Sequence, residues 1–259
     1  MSMAASRLWD TGYREWLPSA GLRASLTCLW VSVVAPDGGQ KVQQVYPDGC
    51  IDLIWQSGYG AYLAGPDTGP APAELPPDTI VIGARFRPGA GGPAIGLPLC
   101  DLRDQRIDLA DCLPALARQL PADLPSAAAL SVVTRLSAQL VAAGPPDPLV
   151  LEGTRLLARG DMSVTSMSSE LAVSERQLRR RFDAAVGYGP KMLHRVLRFR
   201  RVLADLPAAA SEGDLAGLAI QAGFADQAHM TREMISLAGL SPAALAKTLR
   251  PSQPDFVRY

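Results

Sequence analysis

The residues best suited to chemistry in this sequence are four arginines between positions 176 and 181, in the segment Ser174-Glu-Arg-Gln-Leu-Arg-Arg-Arg-Phe182. A guanidinium group can donate two hydrogen bonds at once, to O6 and N7 of guanine or to phosphate oxygens. Leu178 and Phe182 lie four residues apart and would share the buried face of a helix, which leaves Arg176, Arg179 and Arg180 on other faces. The segment therefore predicts DNA contact. A surface helix with solvated arginines is the alternative.

Two helices joined by a tight turn would position these arginines. Helices are predicted over Ser163–Ala172, capped by Ser163, and over Ser174–Val186. The turn between them has about three residues, the length that a helix-turn-helix requires. Ser174 and Gln177 form the Ser-x-x-Gln pattern of a capping box. The second helix is therefore predicted to be a recognition helix, whose first turns enter the major groove.

The same unit recurs 52 residues later, because Leu178 maps onto Met230, Arg180 onto Arg232 and Phe182 onto Met234. Asp226 is expected to cap the second recognition helix, whose exposed side would carry Gln227, Ala228, His229, Thr231 and Arg232. The methyl side chain of Ala228 could contact only an apolar surface of DNA, such as a thymine methyl group. His229 is either a base or phosphate contact or an ordinary, partly buried histidine. A repeated unit that keeps an arginine predicts two DNA-reading positions.

A long basic helix, predicted over Pro190–Asp205, separates the two copies. Pro190 suits the first turn of that helix. Its length would be about 24 Å, at about 1.5 Å per residue. This is of the order needed to place two recognition helices in successive major grooves, about 34 Å apart.

These residues resemble the AraC/XylS family of bacterial transcription regulators over Pro148–Pro251. The resemblance rests on Ser174–Phe182, Val186-Gly-Tyr-Gly-Pro190, Leu197-Arg-Phe-Arg200, Ala222-Gly-Phe-Ala-Asp-Gln-Ala-His-Met230 and Gly239-Leu-Ser-Pro242. It implies two recognition helices in adjacent major-groove segments of a promoter. The base contacts that it implies are Arg176, Arg179, Arg180, Gln227, Ala228 and Arg232. Gln177 and His229 complete the predicted DNA-binding residues.

The second copy departs from the family pattern. Met230 and Met234 stand where the family has aromatic residues, and Ile235 and Ser236 stand where it is normally basic. We therefore expect the first recognition helix to supply most of the affinity.

The N-terminal half has the pattern of a β-rich domain. Short runs rich in β-branched and aromatic residues alternate with Gly- and Pro-rich turns, which favours a barrel or sandwich. The predicted strands are Ser25–Val34, Val42–Val45, Ile51–Trp55 and Thr79–Phe86. The half also resembles a regulatory domain fused to some members of the same family, through Tyr46–Trp55, Leu63-Ala-Gly-Pro66 and Gly83–Gly89. That resemblance implies a cupin-like barrel that binds an effector or mediates dimerisation.

Candidate ligand residues in this half are Asp52, Trp55 and Arg87, although turn and core roles are the alternative. Cys50 is a poor nucleophile, because flanking carboxylates raise a thiol pKa. The sequence therefore predicts no enzyme activity and no cofactor. A redox switch at Cys28 or Cys50 is the remaining thiol alternative. The four cysteines are widely spaced and both histidines lie elsewhere, so no metal site is predicted.

Charge divides the chain into two halves. Residues 1–149 hold 10 Lys and Arg against 14 Asp and Glu, a balance of −4, and residues 150–259 hold 15 against 11, a balance of +4. This asymmetry indicates that the second half meets a polyanion. We expect no membrane span, because a window of about 18 apolar residues is missing. The N-terminus lacks a signal-peptide core, and a cytoplasmic location is expected.

Pro- and Gly-rich residues at 144–148 suggest a boundary between domains. We predict an α+β chain with a β-rich regulatory domain over 1–144, a linker over 145–148, a DNA-binding domain over 149–251 and a tail over 252–259. Ser126–Ala143 is predicted to be a helix capped by Ser126. Its apolar stripe either packs within the domain or forms a dimer contact. The stripe is Leu130, Val133, Leu136 (or Ser137) and Leu140.

The predicted function is sequence-specific binding of double-stranded promoter DNA, modulated by a small molecule or by dimerisation. RNA polymerase would be a partner if the protein is an activator, and a homodimer is a further expectation. The alternative is a small-molecule-binding or enzymatic barrel whose helical part binds other proteins.

Overall fold

The computed structural model describes residues 7–160 and 162–249. A β-rich N-terminal part is followed by a C-terminal part in which all described elements are helices, which confirms the predicted α+β class. The predicted tail at 252–259 lies outside the described residues.

Eight antiparallel strands form two sheets in the N-terminal part. The first sheet has the order β1-β2-β7-β4-β5-β8, and the second pairs β3 with β6. The strands are β1 Gly12–Trp16, β2 Leu26–Val33, β3 Lys41–Val45, β4 Ile51–Gln56, β5 Gly60–Ala64, β6 Ala71–Leu75, β7 Ile80–Phe86 and β8 Arg106–Asp108. The large sheet begins at β1 and ends at β8, so the sheets are open and do not form the closed barrel that the resemblance implied.

Four of these strands were not predicted from the sequence, namely β1, β5, β6 and β8. In β6 the residues are Ala-Pro-Ala-Glu-Leu, with no β-branched or aromatic side chain. The strand forms because β3 pairs with it from Lys41↔Leu75 to Val45↔Ala71. Pro72 is tolerated there because each strand of a two-stranded sheet is an edge strand. Such pairing depends on distant residues, so local composition does not reveal it.

Both faces of the large sheet are covered, and all residues of β2 are buried. One face carries Leu29, Leu53 and Trp55 into a core shared with helices. The other face carries Cys28, Trp30 and Ile54 into a smaller core with Leu75 of β6. The period of two along each strand sends successive side chains to opposite faces.

Eleven helices are described in residues 7–160 and 162–249 besides short 3-10 turns, one of which spans Leu99–Leu102. The N-terminal part contains α1 Gly91–Ile95, α2 Leu109–Cys112, α3 Pro114–Ala117 and α4 Ser126–Ala143. The C-terminal part contains α5 Pro148–Arg159, α6 Val164–Glu170, α7 Glu175–Val186, α8 Pro190–Glu212, α9 Leu215–Gln221, α10 Gln227–Ala238 and α11 Pro242–Thr248. The helices predicted over Ser163–Ala172, Ser174–Val186 and Pro190–Asp205 are all present. The helix predicted to end at Asp205 continues through Pro207 to Glu212.

Helix α4 has the predicted bounds but a different cap, since Pro125 is the N-cap residue and Ser126 is already helical. Its stripe packs within the N-terminal part, because Val133, Leu136 and Leu140 are buried and the helix lies on β4 and β7. The stripe therefore gives no support to a dimer contact.

Within residues 7–160 and 162–249, α4 is also the one helix long and apolar enough to cross a membrane, with a mean hydropathy of 1.3. It is not an uninterrupted window of apolar residues, because polar residues such as Ser131, Thr134 and Gln139 lie within it. Its Ala, Val and Leu residues outweigh the one charged side chain, Arg135. A single helix of this kind is weak evidence for a membrane span, because core helices pass the same test.

Candidate DNA-binding interface

The first helix-turn-helix consists of α6 and α7, and local caps fix both helices. The Ser163 hydroxyl accepts from the Ser166 N–H at 3.0 Å, and the Ser174 hydroxyl accepts from the Gln177 N–H at 3.2 Å. The Gln177 side-chain oxygen in turn accepts from the Ser174 N–H at 3.1 Å. The predicted capping box is therefore present. Gln177, a predicted DNA contact, uses its side-chain oxygen inside the protein.

The turn between α6 and α7 spans residues 171–174. Ala172 has φ +52°, in the left-handed region that L residues other than Gly, Asn and Asp rarely adopt. The Val173 N–H donates to Ser168 O at 3.0 Å and closes the turn. This compact turn brings α7 across α6 with its arginines outward.

Helix α7 has the predicted two-sided character. Leu178 and Phe182 are fully buried, whereas Arg176, Arg179 and Arg180 are exposed. Arg179 Nε lies 3.7 Å from Asp183 Oδ2, but its side chain remains 77% exposed. Such exposed pairs are worth little, so Arg179 is available to a ligand.

Arg181 differs from its neighbours, because its Nη1 donates to Asp147 Oδ2 at 2.7 Å. Asp147 also accepts from the Leu149 N–H and so caps α5. Asp147 lies in the predicted linker, and its role as a cap was not predicted. An Asp directly before Pro148 is a local signal that could have revealed the cap.

The second helix-turn-helix consists of α9 and α10. Asp226 Oδ1 accepts from the His229 N–H at 2.6 Å, which confirms the predicted cap. Met230 and Met234 are fully buried, as their correspondence with Leu178 and Phe182 predicts. The turn at 222–226 has one residue more than the first, and Gly223 provides its positive φ of +82°.

The predicted contact residues of α10 do not all face outward. Gln227, Ala228 and Arg232 are exposed, whereas His229 is half-buried. The His229 ring meets the Phe224 ring edge-on, with 5.3 Å between ring centroids. The His229 environment therefore favours an ordinary packing role over a DNA contact.

The N-terminal part packs against the first recognition helix. Helix α1 and the 3-10 turn Leu99–Leu102 both contact α7. A Cβ on Gly92 would lie 2.6 Å from Ala184 O, so the two backbones approach closely. Elsewhere between the two parts, the rings of Tyr46 and Phe199 meet edge-on at 6.2 Å. These contacts were not predicted, because they have no local signature in the sequence.

The predicted ligand residues Asp52, Trp55 and Arg87 do not come together. Trp55 lies on the helix-covered face of the sheet, where its Nε1 donates to Pro121 O at 2.9 Å. Arg87 Nε donates to Arg23 O at 2.8 Å. Asp52 lies on the opposite face from Trp55, because alternate residues of a strand point to opposite sides.

Asp52 belongs to a buried polar cluster. It accepts from Trp30 Nε1 at 2.9 Å and from Arg85 Nε at 3.2 Å, and Arg85 also lies 3.5 Å from Asp48. Burial raises the pKa of the Asp52 carboxyl, and the Arg85 guanidinium acts in the opposite direction. Burial also raises the pKa of the nearby Cys28 thiol. Cys28 is therefore a thiol near neutral pH, which disfavours a redox role.

No group of three or more His, Cys, Asp or Glu within the described part of the chain is placed to hold a metal ion.

Two separate ranges of the chain match known protein families. Residues 167–248 match the family described as "Helix-turn-helix domain", and residues 14–108 match the family described as "Domain of unknown function (DUF6597)". A crystal structure of ToxT from Vibrio cholerae is 11% identical, covers 85% of this chain and 98% of ToxT, and has a TM-score of 0.48. ToxT with a bound unsaturated fatty acid is 12% identical, covers 89% of this chain and 98% of ToxT, and has a TM-score of 0.42. A search of curated proteins gave no match.

Proposed function

We infer that the chain is a DNA-binding transcription regulator with a C-terminal helix-turn-helix domain of the AraC/XylS type, and we propose that α7 and α10 read successive major-groove segments of one promoter site. The observation that carries the proposal is the two-sided character of both helices. Each buries a pair of apolar side chains four residues apart and exposes at least one arginine. The long α8 joins them.

The two helices contribute unequally in this proposal. Arg176 and Arg180 of α7 form no ion pair or side-chain hydrogen bond within residues 7–160 and 162–249, and Arg179 is only weakly paired. Helix α10 exposes Arg232 beside Gln227 and Ala228. Because arginine both forks onto guanine and neutralises phosphate, α7 supplies most of the affinity. Gln177 contributes through its amide nitrogen, and His229 contributes least.

The N-terminal part is proposed to modulate this activity in the cytoplasm, through a small molecule or through dimerisation. Its direct packing on α7 supports the proposal, because a change in the N-terminal part would reach the recognition helix. Of the predicted ligand residues, Asp52 lies with the polar groups of Trp30, Asp48 and Arg85 and is the best candidate for effector contact. RNA polymerase is the further partner if the protein activates transcription.

A DNA-binding titration tests the function. The full chain is titrated with its own upstream region and with random duplex of equal length. We expect preference for the upstream region, and we expect Arg180→Ala to lower specific affinity by about 1–3 kcal/mol. The control is Arg118→Ala, which removes an exposed arginine at the end of α3 and should leave the affinity for DNA unchanged. Equal binding of both duplexes by the wild-type chain would contradict the proposal. A loss with Arg180→Ala that is the same on every duplex would make Arg180 a phosphate contact.

A further inference from the structure

A cleft of about 910 Å³ lies between the N-terminal part and the first recognition helix. Thr68 and Arg103 line it from the N-terminal part. The opposite side is formed by the outer surface of α7 and by the first turns of α8, including Arg176 and Lys191. The cleft thus shares arginines with the surface proposed to read DNA.

The cleft is strongly basic. Its described lining residues include five cationic side chains and two carboxylates, a net charge of +3. The cations are Arg103, Arg176, Arg179, Lys191 and Arg195, and the carboxylates are Glu175 and Asp183. A concave surface with charge of one sign concentrates ligands of the opposite sign.

Three of the five cations have no partner among the residues that the structure describes. Arg195 is engaged, because its Nε donates to Glu233 Oε2 at 2.7 Å, and Arg179 lies 3.7 Å from Asp183. Arg103, Arg176 and Lys191 form no hydrogen bond or ion pair through their side chains within residues 7–160 and 162–249. They come from a loop of the N-terminal part, from α7 and from α8, and they converge on one space.

The segment that carries Arg103 is held in place. Asp104 accepts from the Thr68 N–H at 2.6 Å and from the Thr68 hydroxyl at 2.8 Å, and Leu102 is buried. The carboxylate of Asp104 is therefore occupied next to Arg103. Asp101 accepts from Cys100 Sγ at 3.5 Å and does not line the cleft. Arg103 thus presents its charge from a fixed backbone.

We propose that Arg103 is a DNA contact supplied by the N-terminal part, and that it binds a backbone phosphate beside the major-groove segment read by α7. Lys191 binds the same stretch of backbone. A phosphate is the expected target because Arg103 lies to the side of α7, whose first turns enter the groove and reach the bases. The proposal rests on the proposed function and adds a DNA contact outside the helix-turn-helix domain.

Salt dependence of DNA binding tests this contact. The full chain, Arg103→Ala, Arg103→Lys and the control Arg118→Ala are titrated with the same duplexes between 50 and 200 mM salt. Loss of one phosphate contact lowers the slope of log K against log salt by about 0.9. The ratio of wild-type to Arg103→Ala affinity should then change about 3.5-fold across this range. The loss should be equal on specific and random DNA, and Arg103→Lys should restore most of it, because lysine also binds phosphate as a point charge.

Two outcomes would overturn the proposal. One is an Arg103→Ala slope and affinity equal to those of Arg118→Ala. The other is a result in which inorganic phosphate competes with DNA at constant ionic strength, and Arg103→Ala abolishes this competition but leaves the salt slope unchanged. That result would make the cleft a site for small anions. If the wild-type chain binds no duplex at all, the proposed function itself fails. If it binds and only Arg103 proves neutral, the failure is confined to this contact.

Discussion

Adjacent arginines in α7 have different surroundings, and this difference decides which of them are available to DNA. Arg181 is paired with Asp147 at 2.7 Å, whereas Arg180 is exposed and free of partners within the described residues. The apolar spacing of Leu178 and Phe182 was sufficient to predict the outward face. The partner of Arg181 was not predictable in the same way, because it lies 34 residues away along the chain.

Gly83 of β7 is a position where one added carbon atom would disturb the packing of the core. A Cβ there would collide with the indole ring of Trp30, whose Nε1 donates to Asp52. We expect Gly83→Ala to lower the free energy of unfolding by about 1–3 kcal/mol, as overpacking of a core does. Urea denaturation of the full chain measures this change. Gly69→Ala, which meets no heavy atom within 4 Å, should leave the midpoint unchanged. Equal midpoints for the two variants would refute the close approach.

At the scale of elements, the starts of helices were more predictable than strands. Ser163, Ser174 and Asp226 each accept from the backbone N–H of the third residue of the helix that follows, so the signal for each start is local. Strands such as β6 form only through a distant partner. The same reasoning explains why the residues of each recognition helix could be predicted, whereas the position of Arg103 beside Arg176 could not.

The turn between α6 and α7 can be used to test how far local residues determine the structure. Ala172 is exposed and has φ +52°, where an L residue costs about 1–2 kcal/mol and glycine costs none. Glycine loses about 0.5–1 kcal/mol more backbone entropy on folding. We therefore expect Ala172→Gly to raise the free energy of unfolding by about 0.5 kcal/mol.

Ala208→Gly provides the contrast, because Ala208 is exposed and lies in the interior of α8. Glycine in the interior of a helix should lower the free energy of unfolding by about 1 kcal/mol. Chemical denaturation of both variants measures the two changes in the free energy of unfolding, which should have opposite signs. A decrease for both would show that the backbone at 172 is unstrained.

At the scale of the whole molecule, the two parts are packed together at the recognition helix. Gly92 of α1 faces the backbone of α7, and a Cβ there would lie 2.6 Å from Ala184 O and 3.1 Å from Ala185 Cα. Backbone atoms cannot rotate away as a flexible side chain can. Any added atom at position 92 must therefore move α1 relative to α7.

Hydrogen exchange of Gly92→Ala measures this coupling. We expect faster amide exchange in α1 and at residues 184–186, with an overall destabilisation of about 1–3 kcal/mol. The strands β2 and β7 should keep their protection. Gly21→Ala, which has open space around it, is the matched control. Unchanged exchange at residues 184–186 would show that the two parts are not coupled at this contact.

The residue that ends α7 has a consequence for protein engineering. Gly187 is the C-cap residue with φ +94°, and a Cβ there would collide with Pro66 and lie 3.0 Å from Leu99 O. The same position therefore terminates the recognition helix and admits two loops of the N-terminal part. A chimera that joins this helix-turn-helix domain to a foreign sensor would leave that surface uncovered unless the sensor supplied loops of matching shape. The two halves of this chain are thus poor candidates for exchange as independent modules.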